Sequence, residues 1–142
     1  MSAPGAPGAR RLVIHVDGGA RGNPGPAAIG VVLSDGDGTV IHELGERIGV
    51  ATNNVAEYKA LLRGIELAAA HGATELDVVN DSELVARQLT GAYRVKHPAM
   101  KPLHEQARAA LAPFDGRWRI RSVPRAQNAR ADALVNRALD QG

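Results

Sequence analysis

The sequence predicts a mixed α/β fold in which helices flank one central sheet. Three β-prone runs separated by glycine-rich turns occupy the first part of the chain, as in an antiparallel meander. Helical patterns then alternate with two further short strands, which favours parallel pairing within the same sheet. The 142 residues are 44% hydrophobic and include no cysteine. One domain can therefore bury a single core without disulfides.

Three predicted strands form the meander, and they cover residues 12–17, 28–33 and 39–44. The four glycines and two prolines between residues 18 and 26 disfavour both a strand and a stable helix, so the first strand is predicted to end on Asp17. An aspartate–glycine turn at 35–38 joins the second and third strands. An ionised carboxylate at the end of a core strand needs a partner or a metal.

The rest of the chain alternates helices and strands. Thr52, Asn53 and Asn54 can cap a long helix, which is predicted over about residues 55–71 and ends at Gly72. The later predicted elements are a strand at 76–80, a short helix that ends near residue 89, a helix at 102–111, a strand at 117–123 and a helix at 129–139. Because the long helix crosses from the meander to the next strand, that strand is expected to pair in parallel with the first.

Four carboxylates lie where this fold can bring them together. Asp17 and Asp81 each stand where a predicted core strand ends, and parallel pairing makes them neighbours. Glu57 lies on the inward face of the long helix, four residues before Leu61. Asp132 lies in the first turn of the last helix. Each aspartate also has an ordinary explanation, because Asp is common in turns, at helix caps and near the positive end of the helix dipole.

Four acids at one point repel one another, which raises their pKa values and opposes folding unless cations lie between them. Oxygen ligands without cysteine or paired histidines favour Mg²⁺ or Mn²⁺ over Zn²⁺. Two such ions about 4 Å apart activate water and stabilise the leaving oxygen in phosphodiester hydrolysis. The residues therefore indicate a metal-dependent nuclease or phosphoryl-transfer enzyme.

Positive charge is concentrated near the C-terminus, although the formal net charge is only +2. The arginines concerned are Arg117, Arg119, Arg121, Arg125 and Arg130. They fit either a phosphate-facing patch or an edge strand whose alternating arginines prevent association with another chain. Residues 1–10 are expected to form a flexible tail, and no segment approaches the length of a membrane span. We therefore expect a cytoplasmic protein without membrane contact.

Four segments resemble the successive motifs of type 1 ribonuclease H. They are DGGARGNPGP at residues 17–26, TNNVAE at 52–57, DSELV at 81–85 and NARAD at 128–132. The resemblance covers roughly residues 11–140, with the motifs in the order found in the family. It implies an RNase H-like fold, with a five-stranded mixed sheet whose first three strands are antiparallel, in a single domain over residues 11–142.

The resemblance also implies an activity, the endonucleolytic cleavage of the RNA strand of an RNA/DNA hybrid, which leaves a 5′-phosphate and a 3′-hydroxyl. The four acids would hold two Mg²⁺ ions, with Mn²⁺ as a substitute. Asp17 would contact both ions, and Asp132 would hold the ion that activates water. Glu57 and Asp81 would complete the leaving-group side, and Glu57 would contact a ribose 2′-hydroxyl.

A second group of residues would bind the substrate, namely Gly18, Gly19, Asn23, Thr52, Asn53, Asn54 and Arg125. The glycines let the backbone approach the duplex, and the asparagines can donate and accept hydrogen bonds, as reading 2′-hydroxyls across a minor groove requires. In the family, the groups that match Asn23 and Thr52 bind a phosphate of the DNA strand. The asparagines also suit turns and helix caps.

Two features depart from many members of the family. Arg125 lies in the loop where many members carry a histidine assigned to product release, and we expect it to replace that residue. Residues 92–101 lack the basic, tryptophan-rich protrusion of some bacterial members, as in an archaeal-like branch. Some relatives in that branch also attack double-stranded RNA, so this substrate stays open.

Three other interpretations are weighed against this one. A proofreading-type exonuclease usually has a second acid two residues after the first, where this chain has Gly19. A binding module without catalysis would be expected to lack at least one of the four acids. A purely structural domain does not explain the inward Glu57. We expect the domain to act as a monomer.

Overall fold

The computed structural model describes residues 9–141. Residues 1–8 of the predicted tail lie outside the described residues. Arg10, the last residue of that tail, is attached to the domain: its amide donates to the Thr74 hydroxyl over 2.7 Å, and its carbonyl accepts from the amides of Thr74 and Glu75.

Residues 9–141 form five strands and four α-helices around one sheet. In chain order they are β1 (Arg11–Ala20), β2 (Gly25–Asp35), β3 (Val40–Ala51), α1 (Asn53–Ala70), β4 (Glu75–Asn80), α2 (Glu83–Leu89), α3 (Lys101–Leu111), β5 (Trp118–Ser122) and α4 (Ala129–Asp140). The sheet order is β3-β2-β1-β4-β5. The first three strands are antiparallel, and β4 and β5 continue the sheet in parallel. The predicted fold class is confirmed.

The meander strands are longer than predicted. β1 continues past Asp17 to Ala20, because residues 17–20 pair with residues 27–30 of β2. The prediction that Asp17 ends the strand is therefore wrong: cross-strand pairing outweighs the low strand propensity of two glycines. The parallel ladder with β4, however, ends at the pair His15↔Val79. Asp17 thus lies beyond the end of β4, although it lies within β1.

The helix caps confirm the predicted start of α1 and show which residue caps α2. The Thr52 hydroxyl caps α1 by accepting from the Val55 amide over 3.2 Å. Gly72 follows the helix with a φ of 82°, a conformation that glycine adopts without strain. The cap of α2 is Ser82 rather than Asp81, since the Ser82 hydroxyl accepts from the Val85 amide. Asp81 is therefore not used as a helix cap.

Helices cover both faces of the sheet. The side chains of β2 alternate between a core shared with α1, which includes Val31, and smaller clusters with α4, which include Val32. Glycines allow both helices to approach closely. A Cβ atom on Gly64 of α1 would lie 2.8 Å from the Val16 side chain, and one on Gly30 of β2 would lie 2.3 Å from the Ala131 carbonyl oxygen. These contacts place α1 against β1, the strand that carries Asp17, and α4 against the neighbouring strand β2.

The segment between α2 and α3 forms turns rather than an additional helix, in agreement with the predicted lack of a protrusion. Within residues 9–141, no helix has both the length and the apolar character needed to cross a bilayer.

Candidate active site

Three of the predicted acids meet at the end of the sheet. Asp17 of β1, Glu57 of α1 and Asp81 after β4 each place a carboxylate oxygen within 4.8 Å of the others. Asp17 is 4% exposed. The Gly18 amide donates to Glu57 Oε1 over 2.6 Å, and a Cβ atom on Gly18 would lie 2.2 Å from the Ala56 carbonyl. A glycine after Asp17 is thus what allows α1 to bring Glu57 to β1.

The fourth acid lies on the wall of the same cavity without joining this cluster. Asp132 lines a cavity of about 380 Å³ together with the other three acids. It stands in the first turn of α4, and the Asn136 amide lies 3.4 Å from its Oδ2. The structure therefore brings all four predicted acids to one cavity, and carboxylate oxygens of three of them lie within 4.8 Å of one another.

The acids perturb one another strongly. Burial, followed by the charges of Glu57 and Asp81, raises the pKa of Asp17 to about 9. Burial raises the pKa of Glu57 to about 7, against the opposing hydrogen bond from Gly18. Burial also raises the pKa of Asp81, although the Arg125 charge opposes this shift. Without a cation, the cluster therefore retains protons that ordinary carboxylates lose.

The donor set fits a hard divalent cation. Asp81 Oδ2 is buried and receives no hydrogen bond from any described residue. Arg125 is the nearby cation, but its Nε lies 3.9 Å from this oxygen and 79% of its side chain is exposed. Three converging carboxylates, one with an unsatisfied buried oxygen, are the ligands that Mg²⁺ and Mn²⁺ prefer.

The predicted substrate-binding residues divide into two groups. Those that line the cavity are Gly18, Gly19, Asn53, Asn54 and Arg125. Asn23 and Thr52 instead organise its rim. Asn23 Oδ1 accepts from the backbone amide of Asn53 over 3.0 Å, and Thr52 caps α1. Asn53 Oδ1 in turn accepts from the Ala20 amide over 2.9 Å. These bonds fasten the loop after β1 to the N-terminus of α1.

Sequence reasoning did not assign a site role to three polar residues that line the cavity, Arg21, Ser82 and Asn136. Arg21 forms an ion pair with Asp140 of α4 over 2.6 Å. Asn136 could have been found from its spacing, because it lies four residues after Asp132 and therefore on the same face of α4.

The arginines near the C-terminus make different contacts. β5 is an edge strand, and its Arg119 forms an ion pair with Asp77 of β4. Arg130 pairs with Glu43 of β3. Of the five arginines, Arg125 lines the acid cavity. The edge-strand interpretation therefore applies to β5, and contact with the site is confined to Arg125.

Sequence comparisons agree with this geometry. A family model described as "Reverse transcriptase-like" matches residues 15–138. The chain is 50% identical over 130 residues to ribonuclease HI of Halobacterium salinarum, a match that covers 92% of this chain and 65% of that protein. It is 48% identical over 131 residues to the bifunctional protein Rv2228c of Mycobacterium tuberculosis, a match that covers 92% of this chain and 36% of that protein. The chain thus spans only part of the length of these relatives.

Solved structures give the same result. The crystal structure of the halobacterial RNase H1 aligns with a TM-score of 0.90 and 49% identity, over 93% of this chain and 99% of that one. LC11-RNase H1, crystallised in complex with RNA/DNA hybrid, aligns with a TM-score of 0.87 and 44% identity, over 92% and 97% of the two chains. The five-stranded sheet and its flanking helices match those of the RNase H1 structures. The chain belongs to the type 1 ribonuclease H family, and it resembles the branch without the basic protrusion.

Proposed function

We propose that this domain hydrolyses the RNA strand of RNA/DNA hybrids endonucleolytically, by a two-metal-ion mechanism that leaves 5′-phosphate and 3′-hydroxyl ends. The observation that carries the proposal is the convergence of Asp17, Glu57 and Asp81 within 4.8 Å in a member of this family. The complex of the related LC11-RNase H1 with RNA/DNA hybrid supports the choice of substrate. We assign this activity to a single domain over residues 11–142.

The four acids are proposed to hold two Mg²⁺ ions, with Mn²⁺ as a substitute. When bound, such ions activate a water molecule and stabilise the charge on the leaving oxygen. Asp17, with its raised pKa, must lose its proton for a cation to bind. The Gly18 amide keeps Glu57 directed at the cluster. Asp132, on the cavity wall, completes the ligand set from α4.

Substrate recognition is assigned to the rim of the cavity. Gly18 and Gly19 offer backbone close to the reacting strand, and Asn53 and Asn54 offer hydrogen bonds to 2′-hydroxyls. Asn23 and Thr52, at the N-terminus of α1, are proposed to bind a phosphate of the DNA strand, which the helix dipole favours. Arg125 is exposed beside Asp81, a position suited to attracting the RNA backbone and to assisting product release.

A monomer suffices for this chemistry, because one chain supplies all four acids. We therefore propose a monomeric enzyme, and a cytoplasmic location remains a prediction. Double-stranded RNA is a second substrate to be tested beside the hybrid.

A cleavage assay on end-labelled duplexes tests the proposal. RNA/DNA hybrid, double-stranded RNA, single-stranded RNA and double-stranded DNA are incubated with the domain and Mg²⁺, Mn²⁺ or a chelator. We expect internal cuts in the RNA of the hybrid, only with a divalent cation, and none with Asp17→Asn. Cleavage from the strand ends alone, or equal cleavage of double-stranded DNA, would contradict the assignment.

A further inference from the structure

Asn128, just before α4, makes a hydrogen bond that links two parts of the site. Its side-chain amide donates to the Val16 carbonyl over 2.9 Å, across 112 residues of sequence. Asn128 is 1% exposed, and Val16 is 3% exposed. A buried hydrogen bond between such distant segments fixes their relative position, because breaking it leaves a backbone carbonyl without a donor.

The position of Val16 explains why an outside donor is needed. The ladder between β1 and β4 ends at His15↔Val79, so neither Val16 nor Asp17 is paired with β4. Near the converging acids, β1 is therefore no longer paired with β4. Asn128 supplies a hydrogen bond to β1 at this point, one residue before Asp17.

The bond uses a side chain that would otherwise stabilise its own helix. Asn128 occupies the N-cap position of α4, where an asparagine commonly accepts a hydrogen bond from the first turn, an interaction that contributes about 1 kcal/mol. Within residues 9–141, its side chain makes no such capping bond. The amide reaches β1 instead, so this residue serves tertiary placement rather than local helix stability.

The two linked elements carry different acids. Val16 precedes Asp17 on β1, and Asn128 precedes the helix that carries Asp132. Asp132 is the acid outside the 4.8 Å cluster, so its distance from Asp17 depends on where α4 begins. Ligands must be held to within about 0.5 Å for tight cation binding.

We propose that Asn128 is a positioning residue that sets the placement of Asp132 relative to Asp17 and thereby the affinity of the site for its divalent cations. The inference rests on the proposed function, since it concerns the same acids. Asn128 itself contacts neither cation nor substrate. It acts through the Val16 carbonyl and the start of α4.

Asn128→Ser is the informative variant. Serine is favoured at helix N-caps, but its hydroxyl is too short to reach Val16 as the amide does. The variant thus keeps a residue type suited to the start of α4 while it loses the link to β1. Asn128→Ala, which loses both, is the second variant.

Tyr58→Phe is the matched control. It removes another buried side-chain hydrogen bond, from the Tyr58 hydroxyl to Gln88 Oε1 over 2.5 Å, and this bond does not involve the site acids. We expect this variant to unfold at a lower temperature than the wild type and to keep its Mg²⁺ dependence.

Two Mg²⁺ titrations test the proposal, one of the unfolding temperature without substrate and one of hybrid cleavage. For Asn128→Ser, we expect the half-saturating Mg²⁺ concentration to rise about tenfold in both, with cleavage recovering largely at saturating Mg²⁺. The inference would be overturned if Asn128→Ser and Asn128→Ala had the same half-saturating Mg²⁺ concentration as the wild type. It would also be overturned if the unfolding temperature of the wild type responded to neither Mg²⁺ nor Mn²⁺. If the wild type binds Mg²⁺ but cleaves no hybrid, the proposed function fails, while the titration of unfolding still decides the role of Asn128.

Discussion

Two aspartates on neighbouring strands of this sheet have opposite surroundings. Asp77 of β4 lies between Arg11 of β1 and Arg119 of β5, and forms ion pairs with both. Burial opposes its ionisation, but the hydrogen bonds from the two arginines prevail and lower its pKa. Asp17 lies near two other acids, and its pKa is raised to about 9.

The difference separates an acid that stabilises the fold from an acid reserved for a ligand. At Asp77 the protein itself provides the compensating charge, so the ionised carboxylate is favourable in the folded state. At Asp17 the protein places further carboxylates, so the ionised form is unfavourable until a cation arrives. The two positions therefore predict opposite responses to mutation, pH and metal.

The largest expected effect is that of Asp17→Asn. Cleavage should fall by at least about 10³-fold, equivalent to about 4 kcal/mol, because a central cation ligand is lost. In chelator, the same variant should unfold at a higher temperature than the wild type, because folded Asp17 must either keep a proton that the unfolded chain loses or ionise beside other acids, and asparagine does neither. Cleavage rates and thermal unfolding measure the two effects. A variant that is both inactive and less stable would show that Asp17 supports the fold as Asp77 does.

The pH dependence of stability should follow the raised pKa values. Folded Asp17 and Glu57 bind protons more tightly than the unfolded chain, so their contribution favours the folded metal-free protein at low pH. It is lost as the pH rises towards about 7 for Glu57 and about 9 for Asp17. Between about pH 5 and pH 9, the unfolding temperature of the wild type in chelator should fall relative to that of Asp17→Asn. Added Mg²⁺ should stabilise the wild type most at high pH. Parallel curves for the two proteins would contradict the shift at Asp17.

Asp77→Asn should have the opposite profile to Asp17→Asn. We expect a loss of about 1 kcal/mol in the free energy of unfolding, because two partly exposed ion pairs are removed. This loss should disappear as the pH falls through the lowered pKa of Asp77, where the wild-type carboxyl is itself protonated. Denaturant unfolding at several pH values gives the free energies, and hybrid cleavage should be unchanged. Reduced cleavage would place Asp77 in the catalytic machinery.

The smallest effect is expected from a matched pair of arginines, each beside an acid. Arg125→Ala removes the cation next to Asp81 and should lower turnover by up to about fivefold, the equivalent of one exposed ion pair. Arg119→Ala removes a cation from Asp77 and should leave turnover unchanged. Steady-state cleavage at saturating Mg²⁺ distinguishes them. Equal turnover in the two variants would remove Arg125 from the proposed site.

Much of this molecule could be predicted from local patterns. Thr52 and Gly72 mark the ends of α1 because capping is a property of a few adjacent residues. The parallel pairing of β4 with β1 followed from the crossover of α1, and it brings Asp81 to Asp17. The extension of β1 through Gly18 and Gly19 could not be predicted, because its cause lies in a partner strand.

The sequence by itself determined which residues can bind a cation and the order in which the fold presents them. Only the tertiary structure decided which aspartate receives arginines and which receives other acids. Arg11 reaches Asp77 across 66 residues, and Asn128 reaches Val16 across 112. The physical reason is that the charge state of a buried carboxylate depends on neighbours within a few ångströms, and folding selects those neighbours from distant parts of the chain.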